Sequence, residues 1–413
     1  MSPARKDAMD TLVRPNLVGG IVELLPEIRA VRRDLHAHPE LRFQEGRTAG
    51  VVAQLLRDWG IDVESGVGGT GVVGTLKRGT SGRSIGLRAD MDALPLQELN
   101  RFEHRSRYDG KMHACGHDGH MAMLLGAARW LATHDGFDGR VHFIFQPAEE
   151  GGAGARYMIE DGLFSRFPCE AVFGMHNWPG MPVGSFGVTS GPMMASSNSF
   201  EITVRGRGAH AAMPHHGIDP VLVASHMVQV LQSVITRNKN PVDAAVLSVT
   251  SILAGEANNI IPETARLRGT VRTFTLEVLD LIESRMRDIV AQLPPVFGAT
   301  ATMEFERSYP PLINSPRETA LAVEVMREMA GEDMVEAQIE PPMTSEDFAF
   351  MLMERPGCYV LIGNGEGEHR GHGHDQGPCT LHNPHYDFND DLIPIGASYW
   401  ARLALRFLQS PGS

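Results

Sequence analysis

Three short apolar segments in the first half of the chain each lead into polar side chains. Residues 83–90 run into Asp90-Met-Asp92, residues 140–145 are followed by Glu149 and Glu150, and residues 171–176 end in His176. Each segment has the length and apolar content of a buried strand. Open α/β sheets carry their sites at the carboxyl ends of such strands. The recurrence therefore predicts a doubly wound α/β domain with its chemistry at one edge of the sheet.

The pattern changes near residue 191. From there to residue 309 the segments follow the order strand, helix, strand, strand, helix, strand. That order is typical of a ferredoxin-like α+β sandwich. We therefore predict a catalytic α/β domain made of residues 1–190 and 310–413, interrupted by an inserted ferredoxin-like domain at residues 191–309.

An acidic charge balance argues against two classes of partner. The chain has 37 Lys and Arg residues against 50 Asp and Glu residues, and the formal net charge of −13 disfavours a surface for nucleic acid or anionic membrane. Charged residues interrupt the apolar runs before they could span a bilayer, and residues 1–15 lack the apolar core of a signal peptide. We expect a cytoplasmic protein that acts on a small molecule.

The run His113-Ala-Cys-Gly-His-Asp-Gly-His120 combines imidazoles, a thiol and a carboxylate, which transition metals prefer as ligands. Four cysteines are too few for a disulfide scaffold in 413 residues, so Cys115 is expected to be free. The alternative is a buried thiol among surface histidines, because a histidine-rich run is only a compositional signal. Ligand types at the ends of other elements favour the metal site, and the candidate set is Cys115, His117, Glu150, His176 and His382.

Five candidate ligands exceed the four of a single tetrahedral site. They suit two metal ions that share a bridging ligand and a bridging water, as in aminopeptidase-type sites with metals ~3.5–4 Å apart. Such chemistry also needs a group that moves a proton. The adjacent Glu149 and Glu150 can divide the work, because one carboxylate can bind metal while the other accepts the proton of the water.

Several motifs occur here in one order, and as a set they are highly specific. They are Ala89-Asp-Met-Asp-Ala-Leu-Pro95, Met112-His-Ala-Cys-Gly-His-Asp-Gly-His120, Gln146-Pro-Ala-Glu-Glu-Gly151, Met175-His-Asn177, Gly206-Arg-Gly-Ala-His210, Asn259-Ile-Ile-Pro262, Gly269-Thr-Val-Arg272, Thr344-Ser-Glu-Asp-Phe348 and His382-Asn-Pro-His-Tyr-Asp387. Over roughly residues 25–405 the chain resembles the amidohydrolase branch of the dinuclear aminoacylase/carboxypeptidase superfamily. That branch contains hippurate hydrolases, N-acyl-amino-acid amidohydrolases and auxin-amino-acid conjugate hydrolases.

The resemblance implies a role for each matching residue. Two divalent ions, which could be Zn, Mn, Co or Ni, would be bound by Cys115, His117, Glu150, His176 and His382. Glu149 would be the general base, and His210 would lend a hydrogen bond to the developing oxyanion. Asn259 and Arg272 would hold the carboxylate of the substrate, a task that suits the bidentate guanidinium of arginine.

The chain departs from many sister branches at Asp90-Met-Asp92, where those branches have a His-x-Asp pair and bridge their metals with an aspartate. The preferred metal and the bridging role of Cys115 therefore stay open. We expect Asp92 to orient a metal ligand. Plainer explanations also exist: Asp90 or Asp92 could cap a strand end, Arg272 could be a solvated strand residue, Asn259 a turn residue, and His210 a residue that satisfies its own Gly-rich turn.

The leading hypothesis is a metal-dependent amidohydrolase of the hippurate-hydrolase type, which cleaves the amide bond of an N-acyl amino acid. A dipeptidase or carboxypeptidase of the same fold is the nearest alternative, because both use the same chemistry. A non-catalytic metal- or peptide-binding protein is expected to lack the base, yet Glu149 is present. The resemblance also implies that the inserted domain is a lid that pairs two copies of the chain in a homodimer or higher homo-oligomer.

Overall fold

The structure, a computed structural model, describes residues 16–371, 373–374 and 377–410. Residues 1–15, on which the expectation of no signal peptide depends, lie outside the described residues. Within the described ranges, no helix has both the length and the apolar character that crossing a membrane requires.

The chain folds into two compact units. The first contains the chain up to Gly191, Asn314–Glu340 and the residues from Phe350 onward, and the second contains Pro192–Ile313 and Pro341–Ala349. The sequence prediction had assigned residues 341–349 to the first unit. In the structure this segment belongs to the second, where the N–H of Ala195 donates to the carbonyl oxygen of Thr344 at 2.9 Å. So short a segment carries no sequence pattern of its own.

Strands and helices are numbered in chain order. The strands are β1 (Asp62–Val67), β2 (Gly71–Arg78), β3 (Ser84–Asp90), β4 (Gly139–Gln146), β5 (Ala171–Pro179), β6 (Phe186–Gly187), β7 (Gly191–Met194), β8 (Ser197–Arg205), β9 (Ala209–His210), β10 (Ala245–Ala254), β11 (Ile260–Ile261), β12 (Thr264–Thr273), β13 (Thr300–Tyr309), β14 (Leu312–Asn314), β15 (Val335–Glu336) and β16 (Gly357–Gly365). The α-helices are α1 (Ile21–Ala37), α2 (Gly46–Asp58), α3 (His117–Ala132), α4 (Glu149–Gly152), α5 (Gly154–Glu160), α6 (Leu163–Arg166), α7 (Pro220–Ser233), α8 (Leu276–Gln292), α9 (Pro316–Ala330), α10 (Ala349–Glu354) and α11 (Leu392–Gln409).

An eight-stranded sheet in the order β1-β2-β4-β3-β5-β16-β6-β15 forms the first unit. Its middle strands β4, β3, β5 and β16 run parallel to one another. Strands β3, β4 and β5 are the three apolar segments of the prediction, and the α/β fold class is confirmed. Strands β1 and β2 add an antiparallel edge that was not predicted. Four of the six residues of β1 are exposed and only its two valines are apolar, so this edge strand lacks the apolar signal of its neighbours.

Helix α3 lies at the centre of the helical layer of the first unit. It packs against α1 and α11, and it is buried on nearly every side, with Met121, Leu124 and Leu125 fully inaccessible. The spacing of its apolar residues predicted this helix. The first residue of this buried helix is His117, which is buried as well.

The second unit contains a four-stranded antiparallel sheet in the order β10-β12-β8-β13. Phe200, Ile202 and Val204 alternate along β8 with more exposed residues, and they share a core with helices α7 and α8. The element order and the strand order are those of a ferredoxin-like sandwich. Large apolar side chains also remain at its surface, since Leu222 of α7 is 50% exposed and Ile252 of the edge strand β10 is 53% exposed.

Candidate active site

All five predicted metal ligands belong to the first unit. Cys115 precedes α3 and His117 begins it, Glu150 follows β4, His176 lies in β5, and His382 lies in the segment between β16 and α11. The parallel strands β4 and β5 present their carboxyl ends at one edge of the sheet. The topology thereby brings together side chains that lie far apart in the sequence.

The five side chains form two groups of three that share the thiol of Cys115. One group is Cys115, His117 and His176, and the other is Cys115, Glu150 and His382; within each group the potential ligand atoms lie within 4.8 Å of one another. The Cys115 Sγ is 3.3 Å from the Nε2 of His176, and the Glu150 Oε1 is 3.0 Å from the Nε2 of His382. The shared position of Cys115 is the one that a bridging ligand would occupy.

Two of the histidines are oriented by backbone carbonyl groups. The Nδ1–H of His117 donates to the carbonyl oxygen of Asp92 at 2.8 Å, and the Nδ1–H of His176 donates to that of Asn177 at 2.6 Å. In the neutral form of each ring, this arrangement leaves the free electron pair on Nε2, as in metal-binding histidines. Among the described residues, the buried Nε2 of His117 has no hydrogen-bond partner. This orphaned atom fits a bound metal ion.

Negative charge dominates the electrostatics around these ligands. Burial raises the pKa of the Cys115 thiol well above its ordinary value, and the carboxylates of Glu150 and Glu149 raise it further. Burial alone would lower the pKa of His117, but the carboxylates of Asp90 and Asp92 raise it to about 10. The same carboxylates that raise the pKa of the thiol and of the imidazole would also attract a metal cation. The cation could then take the place of the protons on these groups.

The predicted base, Glu149, lies at the edge of the same cluster. Its side chain is only 8% exposed, and potential ligand atoms of His117, Glu149 and Glu150 lie within 4.8 Å of one another. The Asp92 carboxylate holds the backbone of both glutamates, because it accepts from the N–H of Glu149 at 3.0 Å and from that of Glu150 at 2.9 Å. This contact accounts for the buried position of Asp92 better than a strand cap would.

Residues outside the predicted set support the turn that carries Cys115 and His117. Gly116, at φ +89°, lies between the predicted ligands Cys115 and His117, and a Cβ atom there would come within 2.4 Å of the Asn177 Oδ1 and 2.5 Å of the Tyr386 hydroxyl oxygen. The Nδ1–H of His120 donates to the Asp90 Oδ1 at 2.6 Å. His120 belongs to the histidine-rich run, so the sequence signalled its presence but not that it pairs with Asp90.

The remaining predicted site residues lie in the second unit. His210 pairs with Ile260 across the β9–β11 ladder, and the Ala211 N–H donates to the Asn259 carbonyl oxygen at 3.0 Å, so His210 and Asn259 are neighbours. Arg272 lies in β12, where burial lowers its pKa. Among the described residues, no carboxylate lies within ion-pair distance of its guanidinium group.

Comparison with known proteins gives a consistent result. Residues 86–406 match the family described as Peptidase family M20/M25/M40. The chain is 41% identical over 397 residues to a hippurate hydrolase of Campylobacter jejuni, covering 95% of this chain and 100% of that protein. It is 37% identical to thermostable carboxypeptidase 2 of Saccharolobus solfataricus, covering 95% and 98%. Its fold matches the crystal structure of a dinuclear metal-binding peptidase of Bacillus subtilis with a TM-score of 0.81 at 33% identity, covering 94% and 99%.

Proposed function

The chain belongs to peptidase family M20/M25/M40, and from this membership we infer a metal-dependent amidohydrolase that cleaves the amide bond of N-acyl amino acids. The observation that carries this function is the cluster of five ligands beside a buried glutamate, in a chain that matches a hippurate hydrolase along nearly its whole length. Substrates of this class carry an acyl group, an amide and a free carboxylate.

The enzyme uses two divalent metal ions. Cys115, His117 and His176 would hold one of them, and Cys115, Glu150 and His382 the other. Zn, Mn, Co and Ni all suit this mixture of sulfur, nitrogen and oxygen ligands. When bound, such ions lower the pKa of a water molecule and polarise a carbonyl oxygen.

Glu149 performs the proton transfers in this proposal. Its carboxylate accepts a proton from the water as the oxygen of that water bonds to the amide carbon. It then gives the proton to the amide nitrogen as the carbon–nitrogen bond breaks. The products are the carboxylic acid of the acyl group and the free amino acid.

His210, Asn259 and Arg272 are proposed to bind the substrate. His210 would donate a hydrogen bond to the oxyanion, and its Nδ1 already accepts from the Ala212 N–H at 3.0 Å, which leaves Nε2–H as the donor. Asn259, its neighbour, and the half-buried Arg272 would hold the carboxylate. The absence of an acidic partner for Arg272 within the described chain supports that role.

A substrate panel tests the function directly. We expect hippurate and N-acetyl amino acids to release free amino acid, a chelator to abolish the release, and added Zn, Mn, Co or Ni to restore it. The rate of amine appearance is the measurement. Faster cleavage of dipeptides or of longer peptides from the carboxyl end would favour the dipeptidase or carboxypeptidase alternative. A fully metal-loaded protein that cleaves none of these substrates would exclude both hydrolases.

We propose the cytoplasm as the compartment and a homodimer as the assembly. All four cysteines are free and buried, which supports a reducing environment. The net charge of −13 supports the expectation of no nucleic-acid or membrane partner. Exposed Leu222 on α7 and Ile252 on the edge strand β10 support pairing of two copies through the inserted domain.

Subunit mixing tests whether His210 acts within its own chain or across a dimer. The His210→Ala and Glu149→Gln variants, each inactive alone, would be mixed under conditions of subunit exchange. If His210 contributes to the active site of the partner subunit, each mixed dimer has one intact site. Activity should then return towards about a quarter of wild type at equal mixing. A mixture as inactive as its components would place His210 in its own subunit's site. The same mixture without subunit exchange is the control.

A further inference from the structure

The backbone that carries Glu149 and Glu150 has an unusual conformation. Ala148, which is fully buried, has φ 54° and ψ 43°, in the left-handed region that residues other than glycine seldom adopt. Glu150 (φ −72°, ψ 76°) and Gly151 (φ 74°) also depart from helical values. The N–H groups of residues 148–150 lie at the start of this short helical segment, where no preceding helical carbonyl group can accept from them, so each donor needs another acceptor.

Two buried carboxylates supply those acceptors. Asp92 accepts from the N–H groups of Glu149 and Glu150, and Glu45 accepts from the N–H of Ala148 at 2.9 Å through its Oε1. The Oε2 of Glu45 accepts from the hydroxyl group of Thr70 at 2.6 Å, which fixes the carboxylate in place. The Glu45 side chain is fully buried. Three successive N–H groups are thus held by side chains from two other segments.

The position of Glu45 in its own helix leaves it free for this contact. Glu45 is the N-cap residue of α2, but its side chain does not cap the helix. Glu40 does so instead, because its carboxylate accepts from the N–H of Arg47 at 3.1 Å and from the N–H of Thr48 at 2.8 Å. Sequence reasoning missed Glu45, since a glutamate before a helix suggests a local cap and its partner lies 103 residues away.

We propose that Glu45 is a positioning residue for amide hydrolysis, which holds Ala148 in its left-handed conformation and thereby aims the carboxylates of Glu149 and Glu150. This inference rests on the proposed function. Rotation of the backbone at Ala148 would move the base and a metal ligand together. A shift of about 1 Å in such groups can lower the rate about 10²-fold.

Hydrogen exchange of the metal-free protein tests the contact itself. In Glu45→Ala we expect the amides of residues 148–153 to exchange roughly tenfold or more faster than in wild type, because the buried acceptor is gone. Glu40→Ala is the matched control, since it removes a nearby carboxylate that accepts from the backbone N–H groups of Arg47 and Thr48 but does not contact residues 148–150. Equal exchange of the amides of residues 148–153 in wild type and Glu45→Ala would overturn the proposal.

Kinetics of the metal-loaded enzyme test the consequence. Glu45→Ala should lower kcat by roughly 10²-fold with little change in KM, as displacement of a reacting group predicts. Glu45→Gln should keep most of the activity, because its amide oxygen can accept from Ala148 while its NH2 group donates to Thr70. Glu40→Ala should lose thermal stability without comparable loss of kcat.

The remaining outcomes separate this inference from the proposed function. If Glu45→Ala does not fold, Thr70→Val replaces it; removal of the hydroxyl partner should lower kcat by a smaller factor and speed amide exchange at residues 148–153. If wild type is active and kcat is unchanged in the folded Glu45→Ala variant, or in Thr70→Val where that variant replaces it, the positioning role alone is overturned. A metal-loaded wild type without amidase activity overturns the proposed function, while the exchange result still decides whether Glu45 holds the turn.

Discussion

Replacement of Glu149 by glutamine should lower kcat by roughly 10²–10⁴ while metal content stays at the wild-type level. Glutamine has nearly the same shape, and the backbone N–H of residue 149 would still donate to Asp92. The amide cannot accept a proton from water, so only the proton transfer is removed. Steady-state kinetics on hippurate and elemental analysis of the purified protein measure the two quantities.

The neighbouring residue provides the matched comparison. Glu150→Gln changes the same functional group one position along the same turn, but Glu150 is grouped with Cys115 and His382. This variant should lose metal first and activity as a result, and excess metal should restore part of the rate. If Glu149→Gln lost metal and Glu150→Gln kept it, the assignments of base and ligand would have to be exchanged.

Loss of the thiol should have the widest effect on metal binding. Cys115 belongs to both groups of ligands, so Cys115→Ala should weaken the binding of both ions. The loss in affinity should exceed the roughly 10–100-fold that changes in residues behind metal ligands cause. Titration of the metal-free protein, followed by elemental analysis, gives the affinity and the stoichiometry.

Controls for this prediction come from the same chain. Cys169→Ala removes another buried free thiol that is outside both ligand groups, and it should bind metal like wild type. His176 and His382 each belong to one group only. His176→Ala and His382→Ala should therefore each weaken the binding of one ion more than that of the other. An unaltered stoichiometry and rate in Cys115→Ala would remove the thiol from the site.

Much of the site could be predicted because its residues follow strong local patterns. Strands β3, β4 and β5 are buried and apolar, so each stands out in the sequence, and the polar side chains at their ends mark one edge of the sheet. The regular spacing of apolar residues in α3 likewise identified the helix that His117 begins. Local pattern and tertiary structure agree in these elements.

Other features depend on contacts that the sequence does not display. The edge strand β1 has little apolar content, and its pairing with β2 is established by backbone hydrogen bonds. The contact of Glu45 with Ala148 joins distant segments through a single side chain. The left-handed conformation of Ala148 could not be predicted from the sequence, because glycine and not alanine is the usual residue in this conformation.

The order of the ligands along the chain has a consequence for biosynthesis. Cys115, His117 and His176 all precede the inserted unit, whereas His382 follows it. A ribosome therefore synthesises all three residues of the first proposed ligand group before it has made the ferredoxin-like unit, and the last residue of the second proposed group only after that unit. Strand β16, which pairs with β5, is also made after that unit. With the ligands proposed above, the second metal centre stays incomplete until the chain that follows the ferredoxin-like unit has been made, and full loading must wait until then.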